Sequence, residues 1–194
     1  MNKEMVYLKG QCKARKQYGA LRAIVLADKL HEGQKRKSGM DYIVHPLRVA
    51  SALLALKIDS EELISTAMLH DVYEDCNVTE YDMIFKYGID EKVAKNVTIL
   101  TKNKGMSTDE YYENIKKSPV CILVKIADRC HNVSTMAGVF SDKKIAEYIE
   151  ETEKYVLPLC KYGKEYYPDL GDEIFTMKYH ILSILDFAKS LISK

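Results

Sequence analysis

The sequence predicts an all-α, single-domain helical bundle, on three observations. Apolar residues recur at three- and four-residue spacing, with no sustained two-residue alternation and no internal repeat. Only four prolines and nine glycines punctuate the chain, too few for a turn-rich β architecture. Hydrophobic residues make up 47% and charged residues 29% of the 194 positions, which is apolar material for one core spanning residues 1–194.

Residues 1–19 are charged throughout and receive no helix. A first helix is expected over residues 20–31, with Leu21, Ile24, Val25 and Ala27 apolar. Residues 34–44 carry the basic cluster Lys35-Arg36-Lys37 before Ser38-Gly39 and read as a loop. Pro46 suits the first turn of the next helix, whose inner face holds Leu47, Ala50, Leu53 and Leu54. Asp59 or Ser60 can cap a third helix, acidic in its first turn at Glu61 and Glu62, that runs through Ile64, Ala67 and Met68 into His70-Asp71.

Two shorter helices are expected over 79–87 and 90–100, with Gly88 between them, followed by a polar loop at 102–108. Ser118-Pro119 opens a helix reaching about Val139, and Ser141-Asp142 opens one reaching Leu159. In the final helix Ile174, Met177, Ile181, Ile184, Leu185, Ala188 and Leu191 share one face, and residues 171–192 are expected to pack on the rest of the domain.

The formal net charge is +1, so the overall balance calls for neither nucleic acid nor an anionic membrane, and any anion binding must be local. Five cysteines include no C-x-x-C pair and read as reduced thiols. The N-terminus lacks the apolar stretch of a signal peptide, and no apolar run approaches the ~18 residues of a membrane span. The expectation is a soluble, cytoplasmic protein. Nothing in the sequence fixes an oligomeric state.

Three elements carry chemistry. In HDVYED, His70-Asp71 ends an apolar helix and Glu74 and Asp75 follow a turn later. Adjacent residues on a helix diverge by about 100°, yet at a helix end beside a cavity both can reach one ion. An isolated pair of this kind is more often a solvated helix terminus. In KIADRCHN, Asp128, Asn132 and Thr135 share a polar face inside a buried helix, and a buried carboxylate needs a cation, a basic partner or a metal. In YIVHP, His45 stands at a helix start. Alone, it reads as a structural histidine. Together, two imidazoles and two carboxylates form a mixed nitrogen and oxygen donor set suited to Mn²⁺, Zn²⁺ or Fe²⁺.

The strings HEGQKRKSGMDYIVHPLRVA, AMLHDVYED and KIADRCHN resemble the three motifs of the RelA/SpoT alarmone hydrolase domain, a branch of the HD superfamily. Weaker matches at Tyr87-Gly88, Thr101-Lys102, Glu151-Thr152, Tyr155, Pro158 and Leu159 extend the resemblance over about residues 18–160. The resemblance implies an all-helical HD-type fold and Mn²⁺-dependent removal of the 3′-pyrophosphate from guanosine tetra- and pentaphosphate. It implies His45, His70, Asp71 and Asp128 as metal ligands and Glu74 and Asp75 as the acidic pair handling the attacking water. It also implies Arg36, Lys37, Ser38, Tyr42, Asn132 and Thr135 as residues around the nucleotide. The synthetase and regulatory regions of long members do not fit in 194 residues, so a stand-alone small alarmone hydrolase is expected.

The chain departs from the family at Met40-Asp41, where Glu-Pro is usual, at Ser134, where arginine is usual, and at Tyr73 and Cys76. These positions flank the expected nucleotide site. They leave open an adenosine alarmone or another nucleotide as substrate. A non-catalytic nucleotide-binding regulatory domain is a second alternative, against which the complete donor set and the intact Glu74-Asp75 pair argue.

Overall fold

The computed structural model describes residues 2–192, which contain helices and turns and no strand beyond one antiparallel bridge between Lys35 and Asp41. The expected all-α class holds. The chain packs as two compact units that meet in sequence at Tyr111 and Tyr112.

The first unit contains α1 (Lys3–Ala14), α2 (Tyr18–Leu30), α3 (Val44–Ala55), α4 (Glu61–Leu69), the single turn α5 (Val72–Asp75) and α6 (Glu91–Leu100). Helix α1 was not expected. Asn2 caps it by accepting from Glu4 N, and Met5, Leu8 and Cys12 are buried at helical spacing against α2 and α3. Only three buried positions among many charges hide that period in the sequence.

Helix α4 lies at the centre of this unit and is covered by α2, α3 and α6. Every residue from Leu63 to Leu69 is buried. Ser60 caps it through Leu63 N, whereas Asp59 pairs with Arg15 at 2.8 Å. Glu61 performs a second task, accepting at 2.5 Å from Gly19 N and so satisfying an open donor at the start of α2. In α2 the inward residues are Ala20, Ala23, Ile24, Leu26 and Ala27, while Val25 faces solvent. The segment expected as a helix over 79–87 forms a wider π-type turn at Asp82–Lys86 that ends at Gly88.

Helix α7 (Thr108–Ile115) runs across the sequence boundary between the units. It too was unexpected. Ser107 accepts from Glu110 N at its start, and Tyr111, Tyr112 and Ile115 are buried.

The second unit is built on α8 (Pro119–Ser134), α9 (Asp142–Glu151), α10 (Leu157–Tyr166) and α11 (Gly171–Ile192). Ser118 caps α8 and Pro119 occupies its first turn, as expected. The helix stops at Ser134 rather than Val139. Thr135 Oγ1 donates to the His131 carbonyl at 3.0 Å, and the chain then turns through Gly138 at φ +72°, a conformation that favours glycine.

From Asp142 the chain stays helical to Tyr166, beyond the expected end at Leu159. Pro158 removes an amide donor and crowds the preceding turn, and a π-type turn at Thr152–Val156 accommodates it without ending the helix. Helix α11 packs on α8, α9 and α10 through Ile174, Met177, Ile181, Leu185 and Ala188. Ile184 is half-buried and Leu191 is exposed, so the expected face is narrower than its apolar residues suggested.

No helix among the described residues is long and apolar enough to cross a membrane. All five cysteines are free. Burial pushes the Cys130 and Cys160 thiols up to about 12, which keeps both protonated and unreactive near neutral pH.

Candidate metal centre and active site

His45 stands in the first turn of α3, followed directly by Pro46, and is buried, as are Ile43, Leu47 and Val49 of the same segment. His70 and Asp71 occupy the break between α4 and α5. His70 ends α4, Asp71 adopts φ −100° and ψ −4°, and Val72 starts a new turn. The interrupted helix lets neighbouring side chains turn toward one point.

That point is the contact between α3 and α4. His45 Nε2 and His70 Nε2 lie 3.2 Å apart, and an Asp71 oxygen is 3.4 Å from the first and 3.3 Å from the second. His70 Nδ1 lies 2.8 Å from the Ala67 carbonyl, which can only accept. Nδ1 therefore carries the hydrogen and Nε2 presents its lone pair to the centre.

Two imidazole nitrogens and a carboxylate oxygen meeting in a buried place need a positive charge to share. A near-equilateral triangle with edges of 3.2–3.4 Å is the face that donors about 2.1 Å from one ion present in tetrahedral or octahedral coordination. The trio thus fits a divalent cation, and the donor types fit the Mn²⁺, Zn²⁺ and Fe²⁺ group.

Tyr42 supports this centre from the first motif. Its hydroxyl donates to the same Asp71 oxygen at 2.7 Å. Burial pushes the Tyr42 phenol far above its ordinary range, and the Asp71 charge and the hydrogen bonds to Asp75 and Asp71 add to that, so it stays a donor. His31 stacks on the Tyr42 ring at 4.7 Å and holds Gln34 Oε1 at 2.8 Å, while Gln34 Nε2 donates to the Asp75 carbonyl. Gln34 thereby ties the end of α2 to the turn bearing the acidic pair. His31 and Gln34 were not assigned roles from sequence, although their signal lay within the HEGQ string.

The loop at residues 34–42 is a closed hairpin. Arg36 N donates to the Met40 carbonyl, Gly39 at φ +84° makes the turn, and Tyr42 N returns to the Gln34 carbonyl. Lys35 and Asp41 pair at 2.5 Å across it. Asp41, one of the departures named above, is engaged in this ion pair. Arg36 lies with its guanidinium carbon 5.9 Å from the Tyr42 ring centre. Lys37 and Ser38 are exposed at the loop tip.

Glu74 and Asp75 are exposed on α5. They are held differently: Glu74 Oε1 accepts from Lys102 N at 2.6 Å, whereas Asp75 acts on Tyr42.

Asp128 belongs to the second unit, buried on α8. Lys125 Nζ lies 3.2 Å from one carboxylate oxygen and Asn132 Nδ2 donates to the other at 2.6 Å. Lys125 is a partner that the sequence pattern left unassigned, three residues away inside an apolar run. The neighbouring Arg129 is turned elsewhere. It is buried, pairs with Glu151 at 2.5 Å and lies over the Tyr148 ring. Thr135 spends its hydroxyl hydrogen on the carbonyls that close α8. Ser134, another of the departures named above, points toward α11: its hydroxyl donates to the Cys130 carbonyl at 2.6 Å and lies 3.0 Å from His180 Nε2. The Asp128–Asn132 pair and the Ser134–His180 pair are thus on different sides of α8.

Residues 23–159 match the HD domain family. The guanosine-3′,5′-bis(diphosphate) 3′-pyrophosphohydrolase of Aquifex aeolicus is 39% identical over 147 residues, covering 72% of this chain and 20% of the relative. The bifunctional (p)ppGpp synthase/hydrolase SpoT of Escherichia coli is also 39% identical over 147 residues, covering 71% and 21%. The GTP pyrophosphokinase of Myxococcus xanthus is 37% identical over 151 residues, covering 72% and 20%. The chain spans about a fifth of the length of these curated relatives. A solved structure of a metazoan ortholog of SpoT that hydrolyses ppGpp shares the fold, with a TM-score of 0.64 and 23% identity over 82% of this chain and 95% of that one.

Proposed function

Since the chain belongs to the HD domain family, we propose that it removes the 3′-pyrophosphate of guanosine tetra- and pentaphosphate, giving GDP or GTP and pyrophosphate. The observation that carries this reading is the buried triangle of His45, His70 and Asp71, joined through Tyr42 to the Arg36 loop. The names of the relatives that share the surrounding sequence support it. So does the placement of two of the departures, since Asp41 pairs with Lys35 and Ser134 turns toward α11.

In this reading His45, His70 and Asp71 hold Mn²⁺, with Asp128 as a further ligand on the strength of its motif. A divalent ion in such a site acidifies water and withdraws charge from a phosphoryl oxygen. Glu74 and Asp75 accept the proton as the water oxygen bonds to the phosphorus attached to O3′. The bond from that phosphorus to O3′ breaks, and O3′ takes up a proton. Arg36 stacks on the purine, Lys37 draws in phosphate charge, and Ser38, Asn132 and Thr135 complete the nucleotide contacts. A cytoplasmic setting goes with five free cysteines.

Purified protein incubated with Mn²⁺ and ppGpp should release pyrophosphate, seen by ion-exchange separation of products, and should do so faster than with ppApp. Turnover of ppApp or an ordinary nucleotide without release from ppGpp would overturn the substrate and leave the metal centre standing.

Tyr42 adds a narrower expectation. Its bond to Asp71 is an outer-shell contact of the kind whose loss weakens metal binding about 10–100-fold. Tyr42→Phe keeps the ring under His31 and removes the donor, so Mn²⁺ affinity measured by calorimetric titration should fall in that range. A raised KM with unchanged metal affinity would make Tyr42 a nucleotide contact only.

A further inference from the structure

We propose that the outer face of α11 pairs with the same face of a second copy of this chain, antiparallel, about a two-fold axis near Ser183. Every fourth residue from 175 to 191 is exposed: Phe175 at 55%, Tyr179 at 66%, Ser183, Phe187 at 60% and Leu191 at 46%. The opposite side of the helix is already buried in its own unit through Ile174, Met177, Ile181, Leu185 and Ala188. The exposed row is therefore a second apolar face, and regular rows of large apolar side chains mark interaction surfaces where single exposed ones do not.

The order along this row selects the occupant. It reads the same outward in both directions from Ser183: an aromatic ring four residues away on either side, Tyr179 and Phe187, and a large apolar side chain eight away, Phe175 and Leu191. A two-fold interface must be complementary to itself, and an antiparallel pair centred on Ser183 satisfies that. Tyr179 meets Phe187 of the second copy, Phe175 meets Leu191, and the small serine occupies the closest approach. Rows at four-residue spacing incline about −26° to the helix axis, so two of them laid together cross at about −50°, the commonest helix packing class.

The same centre places His180 opposite Asp186, Thr176 opposite Ser190 and half-buried Leu182 opposite Ile184, and no like charges face each other among the described residues. An aromatic side chain offers about 150–250 Å². Three of them more than half exposed, with Leu191, supply roughly 400 Å² per copy, or roughly 800 Å² for the pair. That apolar area lies below the ~1,200 Å² of stable specific interfaces, which matches a weak, concentration-dependent pair.

Sedimentation equilibrium of the full chain should show a concentration-dependent dimer. Tyr179→Asp and Phe187→Asp should each weaken it at least about tenfold, or about 1.4 kcal/mol. Both side chains are exposed, so helicity by circular dichroism should not change. Ser183→Cys should cross-link into a disulfide dimer under mild oxidation, since Cα atoms at the axis come within about 7 Å, while Thr176→Cys, two turns from the axis, should not. A monomer at all concentrations together with no Ser183→Cys cross-link overturns the proposal. So does a dimer that survives both aspartate variants.

Discussion

Asp71→Ala is expected to lose its bound metal and its pyrophosphate release together. Asp71 is the only carboxylate in the triangle with His45 and His70, so its removal leaves two imidazoles there and takes away the negative charge that the triangle contributes to the ion. It also deprives the half-buried Tyr42 hydroxyl of its Asp71 acceptor, leaving it Asp75. Both effects act at the break between α4 and α5 and not in the apolar stretch of α4, so the helical core should persist. The loss of Mn²⁺ affinity should exceed the ~100-fold upper value for outer-shell partners. Metal content after dialysis, by atomic emission, checks it alongside the activity assay. Asp71→Asn refines the test, because it keeps the size and the acceptor for Tyr42 while removing the charge. Retention of one metal per chain in either variant would remove Asp71 from the ligand set.

Glu74→Gln and Asp75→Asn are expected to behave in the opposite sense, keeping the metal and losing turnover. Neither residue belongs to the triangle, and both stand exposed on α5 one turn beyond it. Loss of a positioned proton acceptor costs about 10²–10⁴ in kcat. The two substitutions should differ in their side effects. Glutamine can keep the acceptor that Glu74 presents to Lys102 N, whereas Asp75→Asn alters the surroundings of the Tyr42 hydroxyl and should also loosen Asp71 slightly. In the proposed reading the two carboxylates share one proton-accepting role, so the double variant should fall little below the worse single one. Single-turnover rates with saturating Mn²⁺ and ppGpp measure this. Full activity in both variants would exclude the pair from proton transfer.

Much of the helical plan was legible because its signals are local. Ser60, Ser118 and Ser141 cap helices where expected, Pro119 opens α8, and the buried periods of α4 and α11 stand out from their polar flanks. Helices α1 and α7 were not legible. Each buries only three residues of its own, and α1 is held by α2 and α3, which no local window contains. The extension through Pro158 was hidden for a related reason: proline predicts a break, and the π-type turn that absorbs it packs on α8, distant in sequence.

By itself, the sequence determined which chemical groups are available: two histidines, three carboxylates in the HD and acidic pairs, a basic loop, and a buried Asp128 needing partners. Those are properties of residue type and helical spacing. Only the tertiary structure decided that His45 and His70, 25 residues apart, bring their Nε2 atoms to 3.2 Å, because α3 must lie against α4 to bury its apolar face. It also decided that Tyr42 serves Asp71, that Asp41 serves Lys35 and that Ser134 serves α11. A donor's identity is written in the chain, but its direction is set by the neighbour it packs against.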